Sequence, residues 1–163
     1  MTAHPAPGLT VGAGYTYVDA RTVSAFDLIA DTASTRVPGG TTLPGSAYNS
    51  GSATIDYAVP IRGPWSSLVL HADVSYRGPS KSAFVDIPSY QANDFVHFDA
   101  VTVLNLAVTA HREDYDVTLF AKNITSDRGT SVATSAQFYG ARDAGYGVIR
   151  PLTVGVRLTW KSH

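Results

Sequence analysis

The chain lacks the residues and segments that would place it in several common classes of protein. Its 163 residues contain no cysteine, which excludes disulfide frameworks and thiolate metal sites. No segment approaches the roughly 20 consecutive apolar residues of a transmembrane helix. Charged residues make up 15%, below the value of about a quarter that is usual for soluble domains. The net charge of −1 argues against a nucleic-acid partner.

The first seven residues also lack the features of an export signal. Residues 1–7 (MTAHPAP) contain neither a basic region nor an apolar run, and a secretory signal peptide needs both. A protein of the outer membrane or of the extracellular space requires such a signal. The sequence therefore predicts either that the export signal lies outside this chain or that the protein is cytosolic.

What the chain does contain is a repeated alternation of apolar and polar residues. The most regular segment, residues 152–161 (LTVGVRLTWK), places its large apolar side chains on one face and two cations on the other. Because successive side chains of a β-strand point to opposite faces, this period of two predicts a strand. The same period predicts about six strands, within residues 8–20, 46–60, 68–77, 100–111, 115–123 and 152–161.

The connections between these strands are alternately long and short. Long loops are predicted between strands one and two, three and four, and five and six, and residues 26–30 in the first loop are compatible with one helical turn. In an up-and-down meander all long loops then lie at one end of the sheet, as in transmembrane barrels. The predicted fold class is all-β: an antiparallel up-and-down meander of about six strands, forming an open segment of a transmembrane β-barrel.

Aromatic residues are sorted by their position along the predicted strands. One group falls at or beside the short-turn end and another at the long-loop end: Tyr57, Trp65, Tyr115 and Trp160 in the first, Tyr15, Tyr17 and Tyr76 in the second. Two belts of amphipathic rings are typical of a barrel that meets both interfaces of a bilayer. The alternative is a soluble all-β ligand-binding sandwich, in which Tyr15, Tyr57 and Tyr76 would be core residues. A third alternative is a small complete barrel assembled from several copies.

An open sheet of this size has consequences for stability. Known single-chain bacterial barrels have at least eight strands, so about six strands are too few for closure. The first and the sixth strand are therefore predicted to be unpaired edges. Each unsatisfied backbone group in hydrocarbon costs several kcal/mol, so the chain alone is not expected to form a stable closed monomer.

Two motifs in the last fifty residues or so resemble those of TonB-dependent outer-membrane receptors. Members of that family typically carry a strand ending in Leu-Phe-x-Lys-Asn-Leu-Thr, then a loop, then a final strand with Gly, Leu and aromatic residues at set spacing. The matching residues here are Val117, Leu119, Phe120, Lys122, Asn123, Ile124 and Thr125, followed by Pro151, Gly155, Leu158 and Trp160. Leu43-Pro44-Gly45 is also similar to the segment that precedes a descending strand in that family.

The resemblance implies a function for the whole receptor. Such receptors are barrels of about 22 strands with an N-terminal plug, and they import scarce ligands such as ferric siderophores, vitamin B12 or oligosaccharides through the outer membrane of Gram-negative bacteria. Residues 1–163 would be a C-terminal barrel segment. Its implied partners are membrane lipid, the remainder of the barrel, the plug domain and, through the plug, the TonB energy-coupling complex. The chain departs from the family pattern in showing no plug and no energy-coupling box, and in having Ser162-His163 where a terminal Phe is expected.

No pattern of residues predicts catalysis, a cofactor or a metal ion. His71 and Asp73 lie two apart on one strand face, but two residues are an incomplete ligand set. A polar pair lining the barrel interior is therefore the simpler interpretation. His111 and Glu113 flank a turn and are expected to be solvated.

Ligand contact is predicted in the third long loop. Residues 124–151 carry Phe138, Tyr139, Arg142 and Tyr146, and aromatic and arginine side chains are frequent at binding hot spots. The ligand itself, such as a ferric siderophore, is implied by the family resemblance and not by these four residues.

Overall fold

The computed structural model describes residues 1–30, 33–84, 96–134 and 145–161, and these residues form thirteen β-strands and no helix. The strands are β1 Thr2–Ala6, β2 Leu9–Tyr17, β3 Phe26–Ala30, β4 Ala33–Val37, β5 Asn49–Pro60, β6 Ser67–Arg77, β7 Ser80–Lys81, β8 His97–Phe98, β9 Val101–His111, β10 Tyr115–Lys122, β11 Thr130–Thr134, β12 Gly145–Val148 and β13 Thr153–Trp160. Within these ranges there is thus no helix that is long and apolar enough to cross a membrane.

Seven strands form one antiparallel sheet, the main sheet, in the order β1-β2-β5-β6-β9-β10-β13. Its strands follow one another in chain order, so the sheet is an up-and-down meander. The register aligns residues of like polarity: Thr54 of β5 lies opposite both Gly12 of β2 and Asp73 of β6. In the described residues β1 and β13 each pair on one side only, so the sheet is open. The predicted all-β, antiparallel, open fold is confirmed.

The main sheet has one strand more than the sequence predicts. β1 pairs with β2 in antiparallel register, with an irregularity between Ala3 and Ala6. Its sequence, TAHPA, lacks apolar alternation and contains Pro5. The usual strand signals are therefore absent from this segment. Sheets tolerate proline mainly in edge strands and bulges, and β1 is an edge strand. The prediction that the strand within residues 8–20 is an edge is therefore wrong, whereas β13 is an edge as predicted.

The long connections contain two-stranded hairpins, which the sequence did not predict: β3–β4, β7–β8 and β11–β12. Residues 26–30 form β3 and not a helical turn, with Phe26 opposite Val37 of β4. A segment this short forms a poor helix, because one helical turn fixes several residues for a single hydrogen bond. Pairing with β4 satisfies the backbone groups of β3 instead.

Buried apolar residues are few and lie at the long-loop end of the main sheet. Among the described residues, Val37, Phe98 and Val101 are the buried apolar ones. Val37 and Phe98 belong to the hairpins of the first two long connections, and Val101 begins β9. A sandwich would bury one complete face of the main sheet, and that burial is not observed.

Candidate functional site

The two faces of the main sheet differ in polarity across its width. We call the face with the apolar side chains the outer row, and the opposite face the inner row. Large apolar side chains of the outer row are 37–71% exposed, and they come from every strand of the main sheet except β1: Tyr15, Tyr17, Ile55, Tyr57, Leu70, Tyr76, Leu106, Val108, Leu119, Val154, Val156, Leu158 and Trp160. An exposed apolar surface of this width is typical of contact with a membrane or with another protein.

Polar side chains of the inner row form a hydrogen-bonded chain across neighbouring strands. His71 Nδ1 lies 2.7 Å from Asp56 Oδ1, and His71 Nε2 lies 3.2 Å from Asp73 Oδ1. Asn105 Nδ2 donates to the second carboxylate oxygen of Asp73 at 2.7 Å. His71 and Asp73 are thus brought together, as their spacing suggests. The described part of the chain contains no group of three or more His, Cys, Asp or Glu side chains that is arranged to hold a metal ion.

Asn123 extends this chain to the long-loop end. It is 2% exposed, and its φ of 53° lies in the left-handed region that Asn tolerates better than most residues. Its backbone N–H donates to Asn105 Oδ1 at 2.9 Å, and its side-chain amide donates to the carbonyls of Asp127 and Arg150, both at 2.9 Å. Its Oδ1 accepts from the Thr125 hydroxyl at 2.8 Å. Asn123 therefore fastens both ends of the third long connection to the sheet.

Asp127 holds the start of the same connection against β9. Its Oδ2 accepts from the backbone N–H of Thr102 at 2.8 Å, and its Oδ1 accepts from the N–H of Gly129 at 2.9 Å. These two donors favour the carboxylate form and lower the pKa of Asp127 below its ordinary value. Asp127 is therefore a charged anchor of the connection at neutral pH.

The short-turn end of the outer row carries a cluster of aromatic rings. The ring of Tyr115 lies 5.5 Å from that of Trp65 in an edge-on arrangement and 6.2 Å from that of Trp160 in a stacked one. Arg112 donates to the Tyr115 hydroxyl at 3.0 Å. The sequence-based grouping of these aromatics at one end is confirmed. Amphipathic rings of this kind favour the boundary between headgroups and hydrocarbon.

His111 corrects one expectation from the sequence. It was expected to be solvated, but its Nδ1 lies 2.9 Å from Asp116 Oδ1, and the imidazole is about two-thirds buried. Lys161 Nζ lies 2.7 Å from the same carboxylate oxygen. Pairing of β9 with β10 places His111 opposite Asp116, a contact that depends on strand register and not on local sequence. Glu113 is exposed, as expected.

The long-loop end contains a second aromatic group and a cavity. The Tyr15 hydroxyl donates to Asn49 Oδ1 at 2.6 Å, and the guanidinium of Arg21 lies 5.9 Å from the centre of the Tyr48 ring. A cavity of about 340 Å³ lies between the first and second long connections, and its lining includes Thr42, Leu43, Tyr48, Ser80, Lys81 and Phe98. This volume is within the range of small-ligand sites, about 300–1,000 Å³. No sequence pattern predicts this cavity, because its lining residues come from separate loops.

The predicted ligand residues of the third loop are not assembled into a described site. Phe138, Tyr139 and Arg142 lie outside the described residues. Tyr146 lies in β12, opposite Ala133 of β11. Their contact with a ligand therefore stays a prediction.

Comparison with known proteins identifies the family. A model of the family described as "TonB dependent receptor-like, beta-barrel" matches residues 4–125, about three quarters of the chain. No curated protein matches this chain significantly. The fold is similar to the crystal structure of the siderophore receptor PiuA from Acinetobacter baumannii, with a TM-score of 0.70 and 13% identity. That match covers 96% of this chain and 20% of PiuA, so the chain spans about a fifth of the receptor's length. The chain belongs to the TonB-dependent receptor-like β-barrel family.

Proposed function

We propose that residues 1–163 form the C-terminal segment of the barrel of a TonB-dependent receptor in the outer membrane of a Gram-negative bacterium. The observation that carries this proposal is that the two faces of the main sheet suit two different environments. Its outer row exposes large apolar side chains from six strands, whereas its inner row carries a polar chain from Asp56 to Asn123. Lipid on one side and a wet interior on the other account for both rows.

The complete receptor, in this proposal, imports a scarce ligand such as a ferric siderophore. The family match supports a receptor, and the structural neighbour is described as a siderophore receptor. The partners would be membrane lipid, the remaining barrel strands, a plug domain and, through the plug, the TonB energy-coupling complex. Phe138, Tyr139, Arg142 and Tyr146 remain candidates for ligand contact.

The soluble sandwich explains the outer row less well. In a sandwich Tyr15, Tyr57 and Tyr76 would be core residues, but they are 70%, 43% and 42% exposed. A sandwich of two copies would have to cover the whole outer row, including the rings grouped at each end. Grouping of aromatic rings at the two ends of the strands has no function in a contact between two copies. The same grouping is expected at the two interfaces of a bilayer.

The first experiment compares the complete receptor with residues 1–163 alone, each refolded in detergent. The receptor should run as a compact band on an unheated gel and shift on heating, whereas the isolated chain should form no such heat-modifiable monomer. A monodisperse, heat-modifiable monomer of residues 1–163 would contradict the segment proposal, and a heat-modifiable oligomer would support the small complete barrel assembled from several copies.

The second experiment tests import in cells. Uptake of labelled iron from a panel of ferric siderophores is measured in cells that carry the receptor, in cells without it, and in cells lacking a functional TonB complex. Uptake should require both the receptor and the TonB complex. Uptake that persists without the TonB complex would exclude energy-coupled transport.

A further inference from the structure

The carboxylates of the inner row are paired, whereas two of its cations are not. Asp56, Asp73 and Asp116 each lie within 3.2 Å of a His or Lys nitrogen. Lys122 and Arg157, by contrast, make no salt bridge within 4.0 Å in the described part of the chain. The inner row of β10 and β13 therefore carries positive charge that its own carboxylates do not neutralise.

Both cations lie beside one aromatic ring. The ring centre of Phe120 is 5.8 Å from Lys122 Nζ and 5.9 Å from the guanidinium carbon of Arg157. The face of an aromatic ring attracts cations, so the ring holds both head groups near it without neutralising them. The three side chains thus form one cluster, which we call the Phe120 cluster.

A glycine allows the ring of Phe120 to lie across the neighbouring strand. Phe120 faces Gly155 of β13 in the ladder, and a Cβ atom at Gly155 would lie 2.6 Å from Phe120 Cζ. That distance is too short for any real contact, so a side chain here would displace the ring. The absence of a side chain at Gly155 is therefore part of the geometry of the cluster.

The register spaces the two cations along the strand direction. Lys122 lies opposite Thr153, nearer the long-loop end, and Arg157 lies opposite Thr118, nearer the short-turn end, with Phe120 between them. A molecule that moves along the inner row from the loops towards the turns meets Lys122 first and Arg157 second.

We propose that the Phe120 cluster binds the anionic part of the imported ligand, an organic molecule with two or more carboxylate or phosphate groups. This inference rests on the proposed function, which places the inner row inside the barrel. Arg157 suits bidentate contact with such oxyanions, and Lys122 supplies a compact charge at the other side of the ring. Positive charge that is not neutralised also raises the local concentration of anions.

The test measures binding of citrate to the complete receptor, purified in detergent, by isothermal titration calorimetry. The matched probe is trimethyl citrate, which has a similar size and no charge. Citrate should bind and the ester should not. Arg157→Gln should weaken citrate binding about tenfold, a change of ~1.4 kcal/mol, and Lys122→Gln by a similar factor. Arg157→Lys, which keeps the charge, should retain part of the affinity.

The control variant is Arg112→Gln, because Arg112 lies in the short turn beside Tyr115 and outside the Phe120 cluster. It should leave citrate affinity unchanged. The site assignment is overturned by a receptor that binds no citrate, by equal binding of citrate and its ester, or by equal affinity in the wild type and the Lys122→Gln/Arg157→Gln double variant. Heat-modifiable mobility is checked first on every variant. A receptor that forms no barrel refutes the proposed function, whereas a folded barrel without citrate binding refutes the Phe120 cluster alone.

Discussion

Substitution by arginine on the two rows of β13 should have very different costs. Val156 lies in the outer row near the middle of the strand, opposite Leu119, and is 67% exposed. In a bilayer, Val156→Arg places a charge in hydrocarbon, and at the midplane this costs about 2–4 kcal/mol. Thr159→Arg adds a charge on the inner row, which already carries Arg157 and Lys161, and should cost far less. The difference amounts to roughly 30- to 1,000-fold in the folding equilibrium constant.

The assay is equilibrium folding of the complete receptor into lipid vesicles across a urea titration. Val156 and Thr159 differ in depth as well as in row, so Leu158→Arg is the depth-matched comparison. Leu158 is next to Thr159 in sequence, belongs to the outer row and is 67% exposed. Its substitution should cost less than that of Val156, because the penalty falls towards the interface, and more than that of Thr159.

The result that refutes the assignment of the two rows is equal destabilisation by Leu158→Arg and Thr159→Arg. An outer row that packs against protein and not lipid would be identified by a second measurement. In that case Val156→Arg would change the mass of the purified particle, because a protein interface would be lost, whereas a lipid-facing residue leaves the mass unchanged.

Three further changes have expected outcomes. Gly155→Ala should displace the Phe120 ring, since its Cβ would lie 2.6 Å from Phe120 Cζ at the far end of that side chain, and should destabilise the receptor by less than about 1 kcal/mol in the same urea titration. Asn123→Gly, which keeps the left-handed backbone accessible and removes the buried amide, should cost roughly 1–3 kcal/mol and speed proteolysis of the third connection, because the carbonyls of Asp127 and Arg150 lose their hydrogen-bond donor. The lowered pKa of Asp127 predicts stabilisation that is present above the ordinary carboxyl pKa and lost as the pH falls through the lower folded value. The free energy of unfolding should therefore depend less on pH in the acid range for Asp127→Asn than for the wild type. An unchanged pH profile would contradict the anchoring role of Asp127.

The sequence predicted those features that repeat along the chain. Alternation in residues 152–161 marked β13 and assigned each side chain to a row, because a period of two admits only two faces. The order of long and short connections then placed Trp65, Tyr115 and Trp160 at one end, where their rings lie together. These predictions needed no knowledge of which residues meet across the sheet.

Features that depend on register or on non-local pairing were not predicted. β1 has no alternation of its own and is fixed by its pairing with β2. The contact of His111 with Asp116 and that of Asn105 with Asn123 join residues that come together only through the ladder and the connection after β10. The family motif containing Lys122 and Asn123 was visible in the sequence, but the hydrogen bonds that give Asn123 its role were not.

The two edges of the main sheet are unequal partners for the remaining strands of the proposed barrel. β13 has eight residues in regular register, and about half of them direct their backbone N–H and C=O groups away from β10, leaving about eight unpaired groups. In hydrocarbon each such group costs several kcal/mol, so this edge alone would exceed the 5–15 kcal/mol net stability of an ordinary fold. β1 is shorter, contains Pro5, which has no N–H, and pairs irregularly with β2. A regular ladder on β13 therefore satisfies more backbone groups than one on β1. Barrel closure at β13 is accordingly the step that we expect to contribute most to stability of this segment in the membrane.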